Sequence, residues 1–152
     1  MTPFAGAGMS WWWDFIDDRD LYGIHTPLVM FAAGEDLRNR GLEMGKGRCV
    51  NAEGGDAPGL DVITLQNDHS GYFWIYEKQM LRLESDTVFT PQARHEAQVA
   101  LDGLKDGPYR VEFWDTSKGG RIQELTAQAQ KGALRCSVPE FTGDIAGKIK
   151  PL

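Results

Sequence analysis

A chain of 152 residues with 41% hydrophobic content is long enough to bury one real core, and its 18 glycines and many short apolar runs favour a mainly β chain over a helical bundle. The net charge is −6, with acidic and basic residues interspersed and no Lys/Arg cluster, which argues against nucleic acid or an anionic membrane surface as partner. No stretch approaches the roughly 20 apolar residues that span a bilayer, and Met1 to Gly8 lacks the basic and apolar regions of a signal peptide.

The first feature in chain order is Trp11-Trp12-Trp13-Asp14. Consecutive residues of a strand or helix point in different directions, so three adjacent indoles cannot all be buried by one face. Two readings stand: an open tryptophan that stacks on a sugar ring, aromatic or cation, or three that pack between layers or domains. Asp14, Asp17, Asp18 and Asp20 place carboxylates beside these aromatics, as in carbohydrate-active sites. Glycoside hydrolysis, however, needs two carboxyls facing each other about 5 Å or roughly 6.5–9.5 Å apart, and acids opening a helix more often cap it.

Residues 18–37 are expected to be helical in two pieces, with Asp17 or Asp18 capping the first. Thr26 is expected to cap the second and Pro27 to occupy its first turn, with Leu28, Phe31 and Ala32 recurring at helical spacing until Gly34. The Gly-, Asn- and Asp-rich stretch 41–59 reads as a linker or long loop. From residue 60 the period changes to two. Leu60–Gln66 and Gly71–Glu77 form an expected hairpin around Asn67–Ser70, followed by strands at 97–101, 109–115, 121–127, 133–138 and 144–149. Tyr109, Val111 and Phe113 share one face and Arg110 and Glu112 the other, the pattern of a half-solvated sheet.

Enzymatic motifs find little support. Gly41–Gly47 lacks the spacing and the hydroxyl of a phosphate loop, and His69-Ser70 lacks the context of a hydrolase nucleophile. His25, His69 and His95 lie in separate segments without metal-ligand spacing, so neither a metal nor a cofactor is implied. Cys49 and Cys136 form no ligand-spaced set. Cys136 alternates with Leu134 and Val138 as a core-facing thiol, and a Cys49–Cys136 disulfide stays open for an exported protein.

Three stretches in order, Ser10–Asp17 with Asp20-Leu21-Tyr22, Gly107–Thr116 with Gly120, and Val138–Ile149, resemble the C-terminal end of bacterial barrel-type glycoside hydrolase-like proteins. The terminal domain of that family carries the label of a collagen-binding domain of a collagenase. The resemblance implies an immunoglobulin-like antiparallel β-sandwich at 60–152, a linker at 46–59, and at 1–45 a Trp-rich loop and helical segment left from the last strand and helix of a (β/α)8 barrel. The chain is then a non-catalytic accessory module that steadies an upstream catalytic barrel, and Trp11, Trp12, Trp13 and Asp14 are its carbohydrate-binding residues. A stand-alone carbohydrate- or collagen-binding module, and self-association through the Trp-rich segment, are the rival expectations. Relatives of this kind are commonly exported, which leaves the localisation of a longer parent open.

Overall fold

The computed structural model describes residues 13–38, 40–81 and 89–152. In chain order they form α1 (Trp13–Asp18), a 3-10 turn (Leu21–His25), α2 (Thr26–Ala32), β1 (Glu43–Met44), β2 (Lys46–Val50), β3 (Leu60–Gln66) and β4 (Gly71–Glu77). A second 3-10 turn (Lys78–Leu81) leads to β5 (Ala93–Arg94), β6 (Gln98–Asp102), β7 (Gly107–Trp114), β8 (Arg121–Gln130), β9 (Ala133–Ser137), β10 (Phe141–Thr142) and β11 (Asp144–Pro151).

The hairpin and the five later strands arise where the period-two alternation places them, each turning alternate side chains towards the interior. Their assembly differs from expectation. Among the described residues, nine strands make one antiparallel sheet in the order β1-β3-β4-β11-β7-β8-β9-β6-β2, while β5 and β10 form a separate two-strand clasp. Residues 41–59, expected as a loop, contain the run that joins the sheet's two ends. Glu43 and Met44 pair with Gln66 and Leu65 of β3, and Lys46–Val50 pair with β6. Between them the Gly45 amide donates to the Thr64 carbonyl at 3.2 Å. A Cβ at Gly45 would lie 2.4 Å from the Gln66 side chain, so a bare backbone is needed at the crossing. The sheet therefore curls into a nearly closed barrel. This overturns the immunoglobulin-like sandwich, and the glycoside hydrolase and collagen-binding readings that came with it are not borne out by the barrel topology.

Closure is incomplete between β8 and β9, which share only the rungs Ala129↔Leu134 and Gln130↔Ala133. The interior is packed by Phe73, Ile75, Val99, Leu101, Val111, Phe113, Leu134, Ile145 and Ile149, each almost fully buried. Phe73 and Phe113 meet edge-to-face at 5.7 Å. Tyr109, Val111 and Phe113 point inward as the alternation implied, and Arg110 is exposed on the wall, but Glu112 on the same outer face is buried, so that face is not simply solvated. At one end the buried Glu77 carboxylate accepts from the Gln92 amide at 2.8 Å and from Arg94 at 2.6 Å, fastening the β5–β10 clasp.

Cys49 and Cys136 are both buried and free. Each is the register partner of Val99, one on either side of β6. Two interstrand spacings, roughly 9–10 Å, separate them, beyond the span of a disulfide.

The helical region also differs in detail. Trp13–Asp18 is itself helical, so the acids lie within or just after α1. His25 occupies the N-cap of α2 and Thr26 lies inside it, with Pro27 in the first turn as expected. Gly34, at φ +75°, turns the chain away after α2, a conformation that glycine adopts at little cost.

Gly147 faces the barrel interior, where an added Cβ would lie 2.0 Å from Phe73 Cζ. Gly147→Ala is expected to destabilise the barrel by about 2–3 kcal/mol through overpacking, measured by urea unfolding. An unchanged midpoint would show that the Phe73 ring has room to move.

Candidate functional site

The outer wall over β3, β4, β11 and β7 carries two rows of side chains fixed by strand register. One row is Ile63, Trp74, Ala146 and Trp114; the next is Leu65, Tyr72, Lys148 and Glu112. Ala146 is the small residue between two indoles, and Phe31 of α2 packs there in a cluster with Tyr72 and Ala146. Its ring meets Tyr72 at 6.1 Å and Trp114 at 5.7 Å, both edge-on. Trp74 and Trp114 are half-buried on this wall. Trp74 stacks on Tyr76 at 4.6 Å and donates its indole N–H to Asp144 at 2.7 Å. Trp114 donates to Glu112 at 3.1 Å.

The second row makes a socket for one carboxylate. Glu35, three residues beyond α2, accepts hydrogen bonds from Lys148 at 3.1 Å, Lys150 at 2.5 Å and the Tyr72 hydroxyl at 2.7 Å. The Tyr72 oxygen in turn accepts from Arg40 at 2.6 Å, and Arg40 also donates to Ser70 at 2.7 Å. The side chains of Lys148 and Glu35 are only 4% and 6% exposed, so the pair is a buried ion pair. The Lys148 ammonium lies 4.8 Å from the centre of the Phe31 ring and 4.6 Å from that of Trp114, held between two aromatic faces. One helix-borne aromatic and one carboxylate thus latch the N-terminal segment to the barrel.

Burial of Glu35 alone would raise its pKa, but the hydrogen bonds from Lys150, Tyr72 and Lys148 outweigh it and hold the carboxyl at about 2. Burial and the adjacent Glu35 carboxylate push the Tyr72 phenol up to about 12. Burial likewise pushes the Cys49 and Cys136 thiols up to about 12, so neither is a thiolate near neutral pH.

Of the residues expected to bind carbohydrate, Trp11 and Trp12 lie outside the described residues, as does the Trp13 side chain; the Trp13 backbone opens α1, and Asp14 is exposed in its first turn. Among the described residues no group of His, Cys, Asp or Glu is placed to hold a metal ion, and no helix is long and apolar enough to cross a membrane. The latch itself went unpredicted, because Glu35 and Lys148 are 113 residues apart. The available signal was the pattern of Asp144–Pro151, in which Ala146, Lys148 and Lys150 alternate with Ile145, Gly147 and Ile149.

Fold and site together define a nearly closed antiparallel β-barrel with its own N-terminal segment clasped to the outer wall. Set against protein-family models and against curated proteins, the chain matches none.

Because the pKa of Glu35 is depressed from its ordinary 4.5 to about 2, its contribution is complete above about pH 4.5 and is lost as pH falls towards 2. A Trp fluorescence titration of the native protein is expected to show this loss. Glu35→Gln, which leaves Lys148 buried beside a neutral amide, is expected to weaken docking by about 3 kcal/mol at neutral pH and to remove the acid step. Both cysteines are expected to resist a thiol reagent at pH 7 until the protein is denatured, and prompt labelling of either would contradict their burial.

Proposed function

We propose that the chain is a non-catalytic binding module in which the barrel serves as a rigid holder for the N-terminal segment, and that the Trp-rich run on that segment meets a neutral carbohydrate. The observation that carries this reading is the latch. A short helix that buries Phe31 is held to one position on the wall by it and by Glu35, with Pro27 and Met30 close against Gly119 of the turn after β7. A segment outside the barrel, held by such specific contacts, is suited to presenting what lies on it.

In this reading Trp11, Trp12 and Trp13 supply stacking faces for sugar rings, and Asp14, exposed in the first turn of α1, accepts hydrogen bonds from hydroxyls. Stacking and neutral hydrogen bonding suit a chain of modest negative charge with interspersed signs. Binding here requires no reaction.

The test is a titration of the full chain with a panel of neutral oligosaccharides, followed by tryptophan fluorescence and calorimetry. A binder is expected, with affinity reduced about tenfold or more, roughly 1.4 kcal/mol, in the variant W11A/W12A/W13A. Absence of any binder, or equal binding by the triple variant, would reject the carbohydrate assignment.

A further inference from the structure

The latch has a plug and a socket that belong to separate parts of the chain. The plug is Phe31 with Glu35. The socket is Tyr72, Lys148, Lys150, Ala146 and Trp114 on the barrel, together with Arg40. Arg40 stays with the barrel independently of the plug, since its carbonyl accepts from Asn67 at 2.9 Å and its guanidinium reaches Ser70 and Tyr72. The division between the two parts therefore falls between Glu35 and Arg40, a stretch in which Asp36, Leu37 and Arg38 are exposed. Asp36 and Arg38 bond there to each other, at 2.9 Å. Gly34, at φ +75°, stands immediately before the plug's carboxylate, and five residues of extended chain reach roughly 17 Å.

The plug segment also carries more apolar surface than its own barrel covers. Ile24, Leu28, Val29 and Met30 are 61%, 38%, 65% and 45% exposed. Exposed apolar side chains on a segment joined through the exposed Asp36, Leu37 and Arg38 form an arrangement from which identical elements exchange between copies. Every copy of the chain carries a plug complementary to every other copy's socket, in both charge and ring shape.

We propose that the socket on the outer wall is an interaction surface for a second copy of this chain, which inserts its own Phe31 and Glu35 in trans by exchange of the segment before residue 36. The exchanged pair is symmetric and closed, each barrel receiving the other's plug. This rests on the latch geometry and is independent of the carbohydrate assignment.

The experiment uses two full-length variants. F31A/E35Q has a disabled plug and an intact socket; K148M/K150M has an intact plug and a socket stripped of its two ammonium groups at similar volume. Native mass spectrometry of each alone is expected to show monomer. Their equimolar mixture is expected to show a one-to-one heterodimer, the only combination in which an intact plug can meet an intact socket. A mixture that stays monomeric at about 100 μM, well above a micromolar Kd, would overturn the proposal. Circular dichroism of each variant reports whether the barrel is folded. A labelled peptide of residues 24–38 added to F31A/E35Q keeps the test decisive if K148M/K150M fails to fold. Binding that falls about tenfold or more when the peptide carries E35K supports insertion in trans, and absence of binding overturns it. A peptide that binds while folded variants form no heterodimer would show a socket for some other acidic peptide and reject the second copy as its occupant.

Discussion

The run from Glu43 to Val50 is shared between two neighbours, and the rest of the structure depends on that sharing. Its first two residues bond to β3 and its last five to β6. If it paired with only one of them, the sheet would have two open edges, and the ring of apolar residues from Phe73 to Ile149 would face solvent on one side. Glycine at position 45 lets the backbone pass close over Thr64 and Gln66, and the Gln66 amide spans the barrel end to the Asp102 carbonyl at 2.6 Å. Closure thus combines a hydrogen-bond constraint with a steric one.

Closing the sheet turns its opposite face into an outer wall, and the register of that wall creates the latch. Lys148 stands beside Tyr72 on one side and Glu112 on the other. A lysine on such a wall would ordinarily extend into water. Here α2 covers it, and the cost of burying the ammonium is offset by Glu35 and by two aromatic faces. Such a pair adds little net stability compared with apolar packing, but removing one partner is costly because the other is left buried and uncompensated. Its effect is to hold the segment in one position on the wall.

The strands from residue 60 onward were legible because side-chain period two is a strong local signal: Leu60–Gln66 and Gly71–Glu77 appear with the expected bounds. The strand at 43–50 was not legible. Its close approaches are made by Gly45 and Gly47, whose missing side chains are what the crossing requires and which read locally as loop residues. Without that strand, seven short strands separated by turns resemble a sandwich as closely as a barrel, because alternation gives the buried face of each strand but not the closure of the sheet. The latch was hidden for another reason. Pro27 and the helical spacing of Leu28, Phe31 and Ala32 announced α2, yet Glu35 follows the helix as an ordinary charged residue, and its partners become neighbours only through the β4–β11 register.

Hydrogen exchange followed residue by residue, comparing the native chain with Glu35→Gln at neutral pH, tests the central claim most directly. With the segment held to the barrel by the latch, the two are expected to open separately. Amides of α2 are therefore predicted to lose protection in the variant while those of β4, β7 and β11 keep theirs. Equal loss of protection in the strands, or unchanged protection of α2, would contradict the account.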